Sequence, residues 1–352
     1  MAGTPQNSPH QSARVRRVAP TVAGLVISAI ALLLVARSVD FAEAGRILAS
    51  AAPGPLIVAE AVLFLGLAIR LFRWQILLPP RRDGTRVGAR ALLPILVVGY
   101  LGNAVLPARL GEVLRSYLVA QREQVAFGGA LGSVLLERVV DTATLAVMAF
   151  IAAVGLGAAV WIVQGTGLLA AAAVTIVIVL ATWGFRPFVR LLERFGAFAV
   201  LRPAVTVLVA RLAQFVYWSG GAHRRRALGA AVVLSLGAWL CDATMVWLVG
   251  QSIGVGLPPL GAVLVLAITA LATAIPSAPA YVGTFELAAV AAAGTVGVAP
   301  NDALALAVLA HGLALLPTII LGPLALAGMG GGLRRLSLAA VEERQAQEPG
   351  TT

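Results

Sequence analysis

The chain has 352 residues, 60% hydrophobic and 12% charged, with a mean hydropathy of +0.94. Soluble domains are roughly 25% charged, so the composition excludes an ordinary soluble enzyme and points to a polytopic membrane protein. All 26 basic residues are arginine, and with 15 acidic residues the net charge is +11; they cluster between apolar runs, so a membrane accounts for them better than nucleic acid does.

In chain order, residues 1–17 are polar and read as a disordered cytoplasmic N-terminus. Arg14, Arg16 and Arg17 precede an apolar run at 18–36, too long for a signal-peptide core and read as an uncleaved first span. The second span, 55–78, ends in Arg70, Arg73 and Trp74, and both arginines are expected to snorkel to the inner interface. An apolar stretch at 91–106 is broken by Pro94, Gly99, Gly102 and Pro107. A short charged segment follows at 108–120. The long run 127–154 contains Glu137, Arg138 and Asp141, and another span covers 158–183. Segment 184–226 holds eight arginines, and its apolar middle, 203–218, reads as an interfacial helix. Apolar runs resume at 227–250, 259–275, 283–297 and 302–327, before a cytoplasmic tail at 331–352.

Arginine placement sets the orientation. The N-terminus, the 79–90 loop, the 184–226 loop and the tail carry 3, 4, 8 and 3 arginines, and all should be cytoplasmic. The 37–54 loop balances Arg37 and Arg46 with Asp40 and Glu43 and should face outward. Segment 91–120 must then enter the membrane and return to the same side, because 108–120 reaches only about 20 Å as a helix. By the same reasoning 259–298 enters from the outer side, breaks at 275–279 and returns. The expected fold is an all-α polytopic membrane protein. One transmembrane domain over 18–330 has about six full crossings plus two re-entrant broken-helix hairpins in an inverted repeat.

The two hairpins share their punctuation. The first has Pro107, Gly111 and Glu112; the second has Pro276, Pro279, Gly283 and Glu286. Arg138 lies 27 residues after Gly111, and His311 lies 28 after Gly283. Opposed broken helices are a recurring transporter plan, because unpaired backbone inside a membrane is tolerated where it lines a cavity.

Ionisable residues within apolar runs are candidates for function. Arg109, Glu112 and Arg115 fall on one helical face, and Glu137 and Asp141 share another with Arg138 beside them. Arg109, Arg115 and Arg138 are expected to hold a phosphate-bearing headgroup, since guanidinium matches phosphate and stays charged. Glu112, Glu137, Asp141, Glu286 and His311 complete the set; a static ion network is the competing reading. Trp74, Trp239, Trp247 and Asp242 read as packing or helix contacts. The single Cys241, the three scattered histidines and the lack of a phosphate-binding loop leave no metal, cofactor or catalytic set to assign.

The motifs Gly102-Asn103-x-x-Leu106-Pro107-x-Arg109-x-Gly111-Glu112-x-x-Arg115, Glu137-Arg138-x-x-Asp141 and Pro276-x-x-Pro279-x-x-x-Gly283-x-x-Glu286, with the Arg-Trp end of the second span, resemble the lysylphosphatidylglycerol synthase transmembrane-region family, also called the flippase-like family. The resemblance covers about 20–330. It implies a multi-pass protein of a prokaryotic cytoplasmic membrane, with membrane lipids as partners, that moves lipids or polyprenyl-phosphate-linked sugars between leaflets. It adds Asn103 to the binding set, and it implies no aminoacyl-transferase activity here. His311 stands where similar sequences have arginine, and Ala280 and Tyr281 stand where they have glycine. Two other functions fit the same repeat: a small-solute or ion-coupled secondary transporter, and a non-transporting partner of an envelope or lipid-modifying enzyme.

Overall fold

The structure is a computed structural model that describes residues 24–106, 109–183, 221–275 and 277–330. The expectations for 1–17, Pro107, Pro276, the 203–218 helix and the 331–352 tail lie outside the described residues. Every regular element among the described residues is a helix. They are α1 (Gly24–Ala36), α2 (Phe41–Ala49), α3 (Pro53–Leu77), α4 (Ala89–Val105), α5 (Leu110–Glu123), α6 (Phe127–Gly155), α7 (Val160–Trp183), α8 (Gly221–Ser252), α9 (Pro259–Ala272), α10 (Thr284–Gly294) and α11 (Pro300–Gly328). A 3-10 turn at Pro279–Tyr281 lies between α9 and α10.

Four helices, α3, α7, α8 and α11, are long and apolar enough to cross a bilayer; α1 and α2 make a fifth if their 87° bend is one broken span. α6 has 29 residues and buries Glu137 and Asp141 along with its apolar face. α4 and α5 have 17 and 14 residues, and α9 and α10 have 14 and 11. At 1.5 Å per residue none of these four reaches the roughly 30 Å of a hydrocarbon core. They pack in pairs, α4 on α5 and α9 on α10, as two helix–break–helix units.

Three expectations change. The 37–54 loop contains α2, an amphipathic helix that buries Ala44 and exposes Phe41. Asp40 caps it by accepting from the Ala42 and Glu43 amides, so the acid read as loop charge starts a helix. α4 is unbroken through Pro94, Gly99 and Gly102. Pro94 lies inside the helix and forfeits only the bond to the Arg90 carbonyl, and the helix continues past it. The two glycines serve packing. A Cβ on Gly99 would lie 2.8 Å from the Arg115 Cβ, and one on Gly102 would lie 2.8 Å from the Gly111 Cα. Gly111, read as a hinge, lies inside α5 rather than at its break. A Cβ there would run into the Gly99 carbonyl and the Asn103 amide. Backbone-to-backbone contact therefore closes the first unit.

The breaks have left-handed backbone. Arg109 (φ 54°) opens α5; Ala280 (φ 54°), Tyr281 (φ 62°) and Gly283 (φ 91°) form the second break. Such φ values cost a non-glycine residue about 1–2 kcal/mol each, so tertiary contacts must hold them. Gly283 meets α1: a Cβ there would lie 2.6 Å from the Ser28 carbonyl oxygen. The Ala278 amide donates to Ser28 Oγ at 2.8 Å. Along α3, Ala59 and Leu63 join one apolar cluster with α8–α11, while Leu71, Trp74 and Leu78 join another with α4 and α5. Arg70 and Arg73 lie between them.

Candidate functional site

Neither Arg70 nor Arg73 snorkels. Arg73 is 0% exposed. Its guanidinium pairs with Asp141, with Glu137 Oε1 at 3.1 Å, and donates to Ser235 Oγ at 2.6 Å. Arg70 forms a two-bonded pair with Asp242 of α8 and lies 5.1 Å from the Trp239 ring centre. An arginine in the middle of a helical stack keeps its charge only with such partners.

Glu137 organises the deep part. Its Oε1 accepts from Arg115 at 3.0 Å and Arg138 at 2.8 Å, besides meeting Arg73. Arg115 is 1% exposed and lies 5.1 Å from the Trp74 ring centre. The Trp74 indole in turn donates to Ser133 at 3.2 Å, and the Trp239 indole to Asp141 at 3.0 Å. Arg138 reaches outward from this centre, to Asp141 at 3.2 Å and to Glu112 at 3.5 Å. Arg73, Arg115 and Glu137 thus form a fully buried ion cluster.

In front of this network lies a cavity of about 310 Å³. Its polar wall includes Asn103, Arg109, Glu112, Arg138 and Asp141 from the first half and Tyr281 and His311 from the second. Arg70, Tyr100, Trp239 and Asp242 also face it, and the remainder is largely aliphatic. Arg115 and Glu137, expected in the binding set, lie behind its wall, and Glu286 touches it only through His311. Arg109 joins the two broken units. It donates to Thr273 at 2.7 Å, stacks 5.5 Å over the Tyr281 ring and lies 3.9 Å from Glu112.

Five arginines (70, 73, 109, 115, 138) share four carboxylates (112, 137, 141, 242), which leaves one positive charge in excess. Buried atoms without a hydrogen-bond partner occur on both sides of the wall: the Nε of Arg109 and Arg138 and the Oδ1 of Asn103 at it, and atoms of Arg73, Arg115 and Glu137 behind it, with Arg138 Nε still 3.5 Å from Glu112. The wall's own arginines (70, 109, 138) are matched by its carboxylates (112, 141, 242), so the surplus charge belongs to Arg73, Arg115 and Glu137 behind it.

At the second break, Glu286 Oε2 accepts from the Gly283 amide at 2.6 Å, closing the first turn of α10. Its Oε1 faces His311 Nδ1 at 2.6 Å, and His311 Nε2 faces the Ala280 carbonyl at 2.8 Å.

Sequence reasoning missed Arg70, Arg73, Asp242, Tyr100, Trp239 and Tyr281 as parts of this region. The signal available was that Asp242 is the only acid in the 227–250 run. An unmatched acid in one span and an unmatched base in another are candidates for pairing.

Residues 21–322 match the family described as "Lysylphosphatidylglycerol synthase TM region". The chain belongs to this family. Within the lysylphosphatidylglycerol synthase transmembrane-region family it is similar to "Glycosyltransferase AglD" of Haloferax volcanii, 28% identical over 345 residues, which cover 88% of this chain and 54% of that protein. It is also similar to a "UPF0104 membrane protein" of Methanothermobacter thermautotrophicus, 28% identical over 134 residues, 38% of this chain and 39% of that protein. The chain spans about half the length of the first of these curated relatives. Family membership and the apolar helices together make it a multi-pass membrane protein.

Proposed function

We propose that this protein moves a lipid with a phosphate-bearing headgroup, a phospholipid or a polyprenyl-phosphate-linked sugar, between the leaflets of a prokaryotic cytoplasmic membrane. The carrying observation is the cavity itself: Arg109, Arg138 and Asn103 line one largely aliphatic space, backed by a buried cluster of Arg73, Arg115 and Glu137 with one surplus positive charge. A phosphodiester brings one negative charge and acceptor oxygens that suit guanidinium. Arg138 and Arg109 receive the phosphate, Asn103 and Tyr281 flank it, and the aliphatic wall accepts the first part of the chains. Moving such a headgroup through bare hydrocarbon costs far more than through a charged groove.

The reading includes a topology. α4–α5 and α9–α10 are opposed re-entrant units of an inverted repeat around six crossings, with both termini in the cytoplasm. Its support is that the two helix–break–helix units contribute Arg109 and Tyr281 to one cavity and meet there. The resemblance to a relative named a glycosyltransferase fits a lipid-linked glycan setting. The cavity residues bind and guide; none is assigned a bond-breaking role.

The test is translocation in proteoliposomes of phosphatidylethanolamine and phosphatidylglycerol with the full chain. Fluorescent phosphatidylglycerol and a polyprenyl-phosphate sugar are the probes, and fluorescent diacylglycerol is the neutral reference. Protein-dependent movement of at least one phosphate-bearing probe is expected. Movement of neither overturns the proposal.

A further inference from the structure

We propose that His311, Glu286 and the Ala280 carbonyl form a proton-binding site, with His311 held as the imidazolium, whose proton fastens the second helix break. Both ring nitrogens of His311 face oxygens, Glu286 Oε1 at 2.6 Å and the Ala280 carbonyl at 2.8 Å. A carbonyl only accepts, and an ionised carboxylate only accepts. Neutral imidazole has one N–H and satisfies one of them; imidazolium satisfies both. The Glu286 carboxylate also accepts from the Gly283 amide, which keeps it in acceptor orientation. Phe285 stacks on the ring with centroids 4.2 Å apart, a face that favours a cation.

The site acts on strained backbone. Ala280 and Tyr281 have left-handed φ without being glycine. The His311 bond holds Ala280 in that conformation, and the next residue carries the ring under Arg109. Release of the proton breaks one N–H bond of the imidazolium and passes that proton to solvent through the cavity. Glu286 stays ionised, and His311 keeps one N–H for two acceptors. One tie is lost, and the 280–283 segment is free to relax, carrying Tyr281 away from Arg109. Proton occupancy and headgroup contact thereby meet at Tyr281 and Arg109, which gives the protein a route to proton-coupled movement.

The titratable and charged groups that share the cavity with His311 are Tyr281 at the turn, Tyr100 of α4, Arg109 and Glu112 at α5, Arg138 and Asp141 of α6, Arg70 of α3 and Asp242 of α8. Except for the tyrosines, these are paired with one another, so Glu286 is the partner of the histidine. α2 also packs on α11, with Asp40 at the Asn301 end, ten residues from His311.

Hydrogen exchange of the full chain in lipid nanodiscs reads the break directly and requires no transport. After correction for intrinsic exchange, protection over 277–285 should fall about tenfold between about pH 6 and pH 9 in the wild type. It should be the same at both pH values in His311→Gln. Constant wild-type protection, or a pH dependence that survives in His311→Gln, overturns the proposal. Nitrogen NMR of a His10→Asn, His223→Asn protein keeps the native site and answers the same question if His311→Gln does not fold. Its remaining histidine should be doubly protonated at about pH 6 and lose one proton by about pH 9. A neutral tautomer throughout that range overturns it. Failure here leaves the headgroup reading standing, because that rests on Arg109 and Arg138.

Discussion

Glu137 shows how residue-scale chemistry divides this protein. One carboxylate oxygen meets three arginines, and its side chain is 1% exposed. Removing Arg115 leaves Glu137 short of a partner, with Arg73 already shared with Asp141. Breaking a buried ion pair from one side typically costs about 3–5 kcal/mol. Arg115→Ala should therefore lose about that much in reversible unfolding in detergent, and Arg109→Gln no more than about 1 kcal/mol, since Arg109 makes only partly exposed contacts. Equal losses would contradict the division between a locked network and a free cavity wall. The acids and arginines of the first half were legible from their spacing. Which arginine faces the cavity was not, because a helical face is fixed only when its neighbours are. Arg73 looked like an interface anchor since the sequence gives its distance from a span end and not the depth at which Asp141 meets it.

At the scale of elements, the two breaks were legible and their mechanics were not. Proline and glycine mark where a helix can stop. They do not say whether a glycine turns the chain or lets another helix approach. Gly111 does the second, since its α-carbon face touches the backbone of α4. Gly111→Ala should destabilise the α4–α5 unit by about 1–3 kcal/mol through overpacking. Gly165, in α7 with open space around it, is the internal control. Gly165→Ala should be neutral or gain about 0.5–1 kcal/mol from helix propensity. Thermal unfolding of the two variants side by side checks the pair, and a neutral Gly111→Ala would remove the close-packing account. α2 escaped the sequence reading for a related reason. A nine-residue amphipathic helix has too few apolar positions to stand out from a loop, and its cap was counted as charge.

For the whole molecule, composition alone pointed to a multi-pass membrane protein, and arginine placement gave an expected orientation. That orientation puts the 81–88 loop and the start of α8 in the cytoplasm, and the α2 segment outside. Single cysteines at Asp83 and Ser50, in a Cys241→Ala background, should react with impermeant maleimide from opposite sides of sealed vesicles. Labelling of both from one side would refute the topology. The meeting of the two units at one cavity could not be read from the chain, because contacts such as Arg109 with Thr273 span 164 positions.

The central claim is that a phosphate-bearing headgroup sits between Arg109 and Arg138. Native mass spectrometry of the full chain, exchanged into detergent with phosphatidylglycerol and diacylglycerol in competition, tests it most directly. The wild type should retain phosphatidylglycerol selectively, and the Arg109→Gln, Arg138→Gln double variant should lose that preference by about tenfold or more, the effect of about 1.4 kcal/mol. Equal retention by wild type and double variant, with the fold intact, would contradict the account.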